Sequence, residues 1–427
     1  MENLLEQYAH VVGNEVINHL RQLAHPLKGL NILHINSTKE GGGVAEILNR
    51  LIPLKRELGI NAEWEIINGE REFYQCTKKM HNSLQGDHDE ISSQLYNVYE
   101  NTNFKNFERL REKLEKADVV FIHDPQPAAL LHHFKERKNK WVWRCHIDVS
   151  HPYRPVWKYL SEYVKDYDAS IWSLSSFVQP LSHPLYLIPP SIDPLSEKNV
   201  EIPEKEISYY LDSWGLKRNV PLITQVSRFD RFKDPIGVIK SYRLVKNYVP
   251  LQLVLAGGGA SDDPEGQQVL QEVKDYAGDD PDVHILELPP DAHRAINALQ
   301  RGSDIIIQKS LKEGFGLTVT EGLWKGKPVI GGDTGGIKLQ VINHFSGFRV
   351  STPEGAAMRI RYLLKHPEVM VSMGKNARQF VLENYLITRQ LREYLTIIVA
   401  LLFGSKEKIE LKLPAQEHSP AQEQHSV

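Results

Sequence analysis

One pattern recurs along most of this 427-residue chain. A short apolar run gives way to a polar or glycine-rich loop, and the loop to a stretch with helical spacing. The apolar runs fall at 31–36, 61–67, 117–123, 141–147, 171–174 and 186–188. After a break they resume at 222–226, 251–256, 283–286, 304–307 and 328–330, with helical stretches at 235–247, 265–277, 291–301 and 318–326 between them. Runs of this length suit buried strands. Strands alternating with helices predict parallel sheets covered on both faces. The break reads Pro189-Pro190-Ser191-Ile192-Asp193-Pro194 and continues into a charged segment, 195–206, which predicts a domain junction. The expected fold is therefore α/β, with two Rossmann-like, doubly wound parallel-sheet domains, 1–193 and 194–385, facing a central cleft. A chain of this length can fill two separate cores.

The remaining segments are read more coarsely. Residues 3–24 carry apolar side chains near helical spacing and predict one amphipathic packing helix. Residues 71–105 are polar and predict no regular element, while 354–384 read as helical. The tail, 405–427, is poor in hydrophobics after Leu413 and is expected to be disordered.

Composition narrows the function classes. A formal charge of −3 gives no general field for nucleic acid or anionic lipid. The longest apolar run, 395–403, is too short to span a bilayer. Cys76 and Cys145 are too few for a disulfide framework and suit a reducing compartment. The opening MENLLEQYAH lacks the basic start and apolar run of a secretory signal. The expected setting is cytoplasmic, with small molecules as partners.

Chemistry concentrates in loops at the C-terminal ends of the expected strands, the edge where open α/β sheets bind ligands. The densest stretch is 304–335. There Glu313-Gly314-Phe315-Gly316-Leu317 joins a strand to a helix, and Glu321 lies eight positions after Glu313. Glycines let backbone approach a ligand, and a helix start suits an anion. The two carboxylates suit hydroxyl groups, so this stretch reads as a nucleotide-sugar site. The first strand likewise runs from Asn36 into Gly41-Gly42-Gly43 and a helix, which can be a phosphate cradle or a plain flexible turn. Arg228 and Lys233 follow the strand at 222–226; Arg offers a fork to phosphate and Lys a point charge. Asp124 and Gln126 are candidates for holding sugar hydroxyls, although Asp124 can equally cap the following helix. Arg144, His146 and Asp148 are delivered by the strand at 141–147, where a His at a strand end is also a common structural residue.

These stretches resemble a known family. Glu313 to Leu317 followed by Glu321 is similar to the acidic motif of retaining glycosyltransferases of the GT-B fold, in their fourth sequence family. NSTKEGGGVAEIL (36–48), HDPQPAAL (123–130), WRCHIDVSHP (143–152), PPSIDPLSEKN (189–199) and VSRFDRFKD (226–234) resemble the trehalose glycosyltransferring synthases among them. The resemblance runs from about residue 31 to 400. It implies transfer of glucose from a nucleoside diphosphate glucose to glucose, giving α,α-trehalose reversibly and with retention. It implies that Arg228 and Lys233 hold the donor diphosphate, Glu321 the ribose and Glu313 a donor-sugar hydroxyl. His146 would lie beside the reacting sugar. Gly42, Gly43, Gly314, Phe315, Gly316 and Leu317 would complete the donor site, and Asn36, Asp124, Gln126 and Asp148 the acceptor site. The last helix, 386–404, would pack back on the first domain, and a homodimer is implied by the resemblance alone.

With no Asp-x-Asp motif near the candidate strand ends, no metal and no cofactor are expected, the nucleotide sugar being a co-substrate. The alternatives are a retaining trehalose phosphorylase and a GT-B transferase with another acceptor. A nicotinamide-dependent oxidoreductase would lack its Gly-x-Gly-x-x-Gly fingerprint here. A sugar-nucleotide sensor would bind donor without turnover.

Overall fold

The computed structural model describes residues 3–39, 42–258 and 264–404. Among these residues twelve strands form two six-stranded sheets. The first contains β1 (Asn31–Asn36), β2 (Asn61–Ile66), β3 (Val119–His123), β4 (Lys140–Arg144), β5 (Ala169–Trp172) and β6 (Leu185–Leu187). The second contains β7 (Leu222–Val226), β8 (Gln252–Gly257), β9 (Val283–Glu287), β10 (Ile305–Gln308), β11 (Val329–Gly332) and β12 (Gly347–Val350). Their orders are β2-β1-β3-β4-β5-β6 and β12-β11-β10-β7-β8-β9, and every pairing is parallel. In each sheet the direction of winding reverses once, between β1 and β3 and between β7 and β10. Ligands of open α/β sheets sit at such switch points, beyond the strand ends.

The apolar runs are most continuous in the central strands, such as β3, β5, β7 and β10, which are buried on both faces. Successive side chains alternate between faces. Val120, Ile122, Trp141 and Trp143 enter one core, while Val119, Phe121, Val142 and Ile171 enter the other. That second core is closed by the helices Leu4–Val12 and Asn14–Ala24 and by the last helix, Ile387–Phe403, through Leu391, Tyr394, Leu395 and Ile398. The chain passes between the sheets twice, side by side. Ile192 N–H donates to the Tyr385 carbonyl at 2.9 Å, and Ile387 N–H donates to the Ile192 carbonyl at 3.0 Å.

Four local readings need correction. The helix expected over 3–24 is two helices, because Gly13 has φ +86° and breaks it. The segment 71–105 is regular: Arg71–Leu84 and Ser93–Lys116 are helices. Their polar faces hide a narrow buried stripe, Phe73, Cys76, Thr77, Met80 and Leu84 in the first, at the spacing of one helix face. The stretch 354–384 is interrupted at His366, with Pro367 opening a new helix. Strand β12 escaped notice because Gly347-Phe348-Arg349-Val350 is short and contains a charge. The tail expected to be disordered lies outside the described residues, as do Gly41 and Gly259.

One packing contact positions the acidic loop's helix, Leu317–Trp324. Gly374, in helix Pro367–Asn384, meets the turn that ends it, and a Cβ there would lie 2.0 Å from the Gly326 carbonyl. Gly374→Ala is therefore expected to lower stability by about 1–3 kcal/mol in denaturant unfolding. An unchanged midpoint would show that the two backbones can separate freely.

Candidate active site

The second domain supplies one wall of the cleft. After β7 the chain turns through Ser227 to Lys233. Asp230 accepts from Phe232 N–H at 2.7 Å, and the left-handed Asp234 accepts from Gly237 N–H at 3.1 Å to start the next helix. Lys309, after the neighbouring β10, pairs with Asp234. These turns aim Lys233 at the acidic loop, where its Nζ lies 2.7 Å from Glu313 Oε2. Ser310 Oγ donates to the same oxygen at 3.3 Å. The Lys233 and Glu313 side chains are 17% and 11% exposed, so the pair is partly dry yet reachable.

The acidic loop rests on glycines. Gly335 has φ +43°, and a Cβ on it would lie 1.6 Å from the Glu313 carbonyl. At Gly336 a Cβ would lie 2.5 Å from Phe315 Cα. The buried Gln340 amide donates to the Phe315 carbonyl at 2.6 Å. Gly316, left-handed at φ +85°, begins helix Leu317–Trp324 without a side-chain cap, leaving the positive helix end uncovered.

A cavity of about 470 Å³ separates this wall from the first domain. Gly43, His146, Arg228, Lys233, Glu313, Phe315, Gly316 and Leu317 line it together. Arg228 is 69% exposed, with its guanidinium 3.3 Å from Asp230. A second cavity of about 450 Å³ adjoins it across Ile47 and Leu317, lined by Glu46, Lys198, His293 and Glu321 among others. Glu321 is buried, and burial raises its carboxyl above the usual range against the pull of Lys198 and Lys325. Burial pushes Lys325 down to about 7; its ammonium donates to Asn199 Oδ1 at 3.1 Å and the Glu321 carbonyl at 3.3 Å. Lys198 reaches across to Glu46 at 2.5 Å.

The other expected site residues are engaged in the frame beside the cavity. Asn36 accepts from Trp64 Nε1 and donates to the Thr38 carbonyl. Asp124, at φ +63°, accepts the His146 N–H at 2.7 Å and so shapes the loop that presents His146. Asp148 accepts from Ser150 N–H, and Gln126 holds Asn103 through its carbonyl. None of these four lines the two cavities. Gly42 opens helix Gly42–Glu57, and the Gly314 carbonyl accepts from Gly336 N–H.

Sequence reasoning missed several residues here. Behind His146 runs a chain of hydrogen bonds: its Nε2 to His123 Nδ1, His123 Nε2 to His34 Nδ1, and His34 Nε2 to Lys55 Nζ, at 3.0, 3.0 and 2.7 Å. Lys198 and Asn199 stood inside the motif at 189–199, where only the residue types could have marked them. Lys55 left no signal, because a lysine in an amphipathic helix ordinarily faces water.

Comparison with known proteins decides the family. A model described as the N-terminal domain of trehalose synthase matches residues 34–179, and one for glycosyl transferases group 1 matches 210–380. A trehalose synthase of Pyrococcus horikoshii is 45% identical over 93% of this chain and 96% of its own. The chain belongs to the trehalose synthase family of glycosyltransferases. A trehalose phosphorylase of Pleurotus pulmonarius is 30% identical over 82% of this chain but only 54% of its own length. A glycosyltransferase structure from Rickettsia africae superposes with a TM-score of 0.70 at 18% identity, covering 88% and 99% of the two chains. The two facing sheets are those of the GT-B fold. Among the described residues no helix is long and apolar enough to cross a membrane.

The buried Asp124 gives a pH signature. Burial raises its carboxyl from 3.8 to about 7. Between those values the folded protein binds more protons than the unfolded one, so this group makes stability fall as pH rises, by up to about 1.4 kcal/mol per pH unit. Asp124→Asn keeps the oxygen that accepts His146 N–H. Its unfolding free energy relative to wild type is expected to increase from pH 4 to 7 and then level off. A flat difference would show that Arg144 holds Asp124 charged throughout.

Proposed function

We propose that this protein transfers glucose from a nucleoside diphosphate glucose to the anomeric hydroxyl of free glucose, forming α,α-trehalose, and that the reaction runs in both directions. The observation that carries the reading is the Lys233–Glu313 pair at the switch point of the second sheet, with His146 on the opposite wall of the same cavity. A leaving diphosphate needs cations and N–H donors placed in advance. Lys233, Arg228 and the uncovered start of helix Leu317–Trp324 supply them where the charge develops. These fixed cations take the place of a divalent metal. Glu313 accepts a hydroxyl of the donor sugar, and Glu321, in the adjoining cavity, accepts from the ribose.

In the forward step the bond from the anomeric carbon to the phosphate oxygen breaks, and the acceptor oxygen bonds to that carbon on the same face. The acceptor's proton passes to the departing phosphate. A carboxylate nucleophile would require Glu313 to turn from Lys233 and Ser310 to the anomeric carbon. Trapping a glucosyl ester on Glu313 would replace the front-side route with that one.

Purified protein incubated with glucose and a panel of nucleoside diphosphate glucoses is expected to release nucleotide and form α,α-trehalose, identified by NMR, with EDTA leaving the rate unchanged. Formation from glucose 1-phosphate and glucose without any nucleotide, with release of phosphate, would identify a phosphorylase running in reverse, the enzyme named for the Pleurotus relative. Donor binding without product would make the protein a sensor. Lys233→Ala is expected to reduce kcat by roughly 10²–10³ with the fold intact; wild-type kinetics would remove Lys233 from the site.

A further inference from the structure

We infer that Lys55, His34 and His123 are positioning residues that fix the tautomer of His146, so that His146 offers an Nδ1–H donor to the cavity. The inference rests on the reading of His146 as a sugar-facing residue. Its basis is the unbroken line of ring-to-ring hydrogen bonds that ends on a lysine with no counter-ion among the described residues.

Lys55 leaves the last turn of helix Gly42–Glu57 and is fully buried. Its ammonium sits 4.9 Å from the Phe121 ring centre and 5.2 Å from that of Tyr394, on the last helix. Among the described residues it has no ion pair; its polar partner is His34 Nε2 at 2.7 Å. An ammonium only donates. When Lys55 is charged, His34 Nε2 must therefore accept. Burial holds His34, His123 and His146 well below the usual imidazole range, His123 at about 3. Each neutral ring then carries one proton and has one acceptor nitrogen.

The rest is forced. His34 carries its proton on Nδ1 and donates to His123 Nε2. His123 carries its proton on Nδ1 and donates to His146 Nε2. His146 is left with its proton on Nδ1, the ring nitrogen not taken by His123. Stacking keeps the rings in line: His34 lies 4.7 Å from Phe121 at 6°, and His123 lies 5.3 Å from His146 at 19°. A ring that donates can bind a hydroxyl or phosphate oxygen; one in the other tautomer would turn a lone pair on it.

A neutral Lys55 amine can donate or accept and no longer dictates the order. Burial lowers Lys55 to about 7, so the order is imposed below that pH and lost above it. Among the described residues, the other titratable and charged groups near this chain are Asp124 and Arg144, beside His123 and His146, Tyr394 over Lys55, and Arg228, Lys233 and Glu313, which line the cavity with His146.

The test compares wild type, Lys55→Met, His34→Gln and Asp124→Asn by the pH dependence of kcat/KM for the donor and by ¹⁵N NMR of the His146 tautomer. Wild type is expected to show His146 Nδ1–H at pH 6.5 and to lose activity as pH rises through about 7. Lys55→Met removes a buried unpaired charge and should not melt earlier. It is expected to lose roughly tenfold in kcat/KM at pH 6.5, to lack that pH limb and to show mixed tautomers. His34→Gln breaks the same chain and should behave alike, which decides the matter if Lys55→Met does not fold. Retention of the tautomer and pH profile in both would overturn the inference, as would a pH limb abolished by Asp124→Asn and not by Lys55→Met. His146→Ala separates the two readings: wild-type rates there would remove His146 from the proposed site, whereas an impaired His146→Ala beside a silent Lys55→Met would overturn the relay alone.

Discussion

A 2.7 Å ion pair between Lys233 and Glu313 ties together two loops that leave neighbouring strands, β7 and β10. These strands are adjacent only because the sheet reverses its winding between them, so the pair joins segments eighty residues apart. It also resolves a conflict. On the proposed reading the site must gather cations for a diphosphate, and an unpaired cation in a half-dry cleft is costly. Glu313 neutralises Lys233. Pairs of this kind add little net stability, while removing one partner strands the other. The gain is orientation: a cation held in place, beside a carboxylate aimed into the same 470 Å³ cavity.

Orientation of the acidic loop in turn depends on missing side chains. Gly335 lies so close beneath the Glu313 carbonyl that any Cβ would collide with it, and its φ of +43° disfavours other residues as well. The turn after β11 is thus the bed on which the loop after β10 lies. Gln340, buried behind both, donates to the Phe315 carbonyl and accepts from Thr320 Oγ1. These contacts tie Glu313, the helix start and Glu321 to one another, and donors held in place act without reorganising.

The two-domain α/β architecture and the Glu313 loop were legible because both are local. Strand periodicity, glycine at turns and a charged residue at a strand end can each be seen in a few consecutive letters. What escaped was decided by distant partners. The helices Arg71–Leu84 and Ser93–Lys116 looked like polar loop until Phe73, Met80, Tyr99 and Phe107 met the first sheet. Asp124 reads as either a ligand for sugar or a helix cap at a strand end, and no local pattern announces that its carboxylate accepts the His146 N–H from the next strand's loop. Lys55 is the clearest case. Its burial requires the last helix, more than three hundred residues downstream, to lie across helix Gly42–Glu57.

That last helix runs from the domain junction onto the first domain. It begins at Ile387, beside the paired strands of chain that join the domains. In its first turn Arg389 donates to the Pro189 and Pro190 carbonyls, at 2.9 and 3.1 Å, and the next residue, Gln390, accepts from Ser191. Pro190 lines the cavity with Lys233 and Glu313. One turn further on, Tyr394 covers Lys55, the far end of the line of rings that reaches His146. One helix thus meets both the segment beside the cavity and the buried lysine, even though Lys55 itself is buried away from solvent.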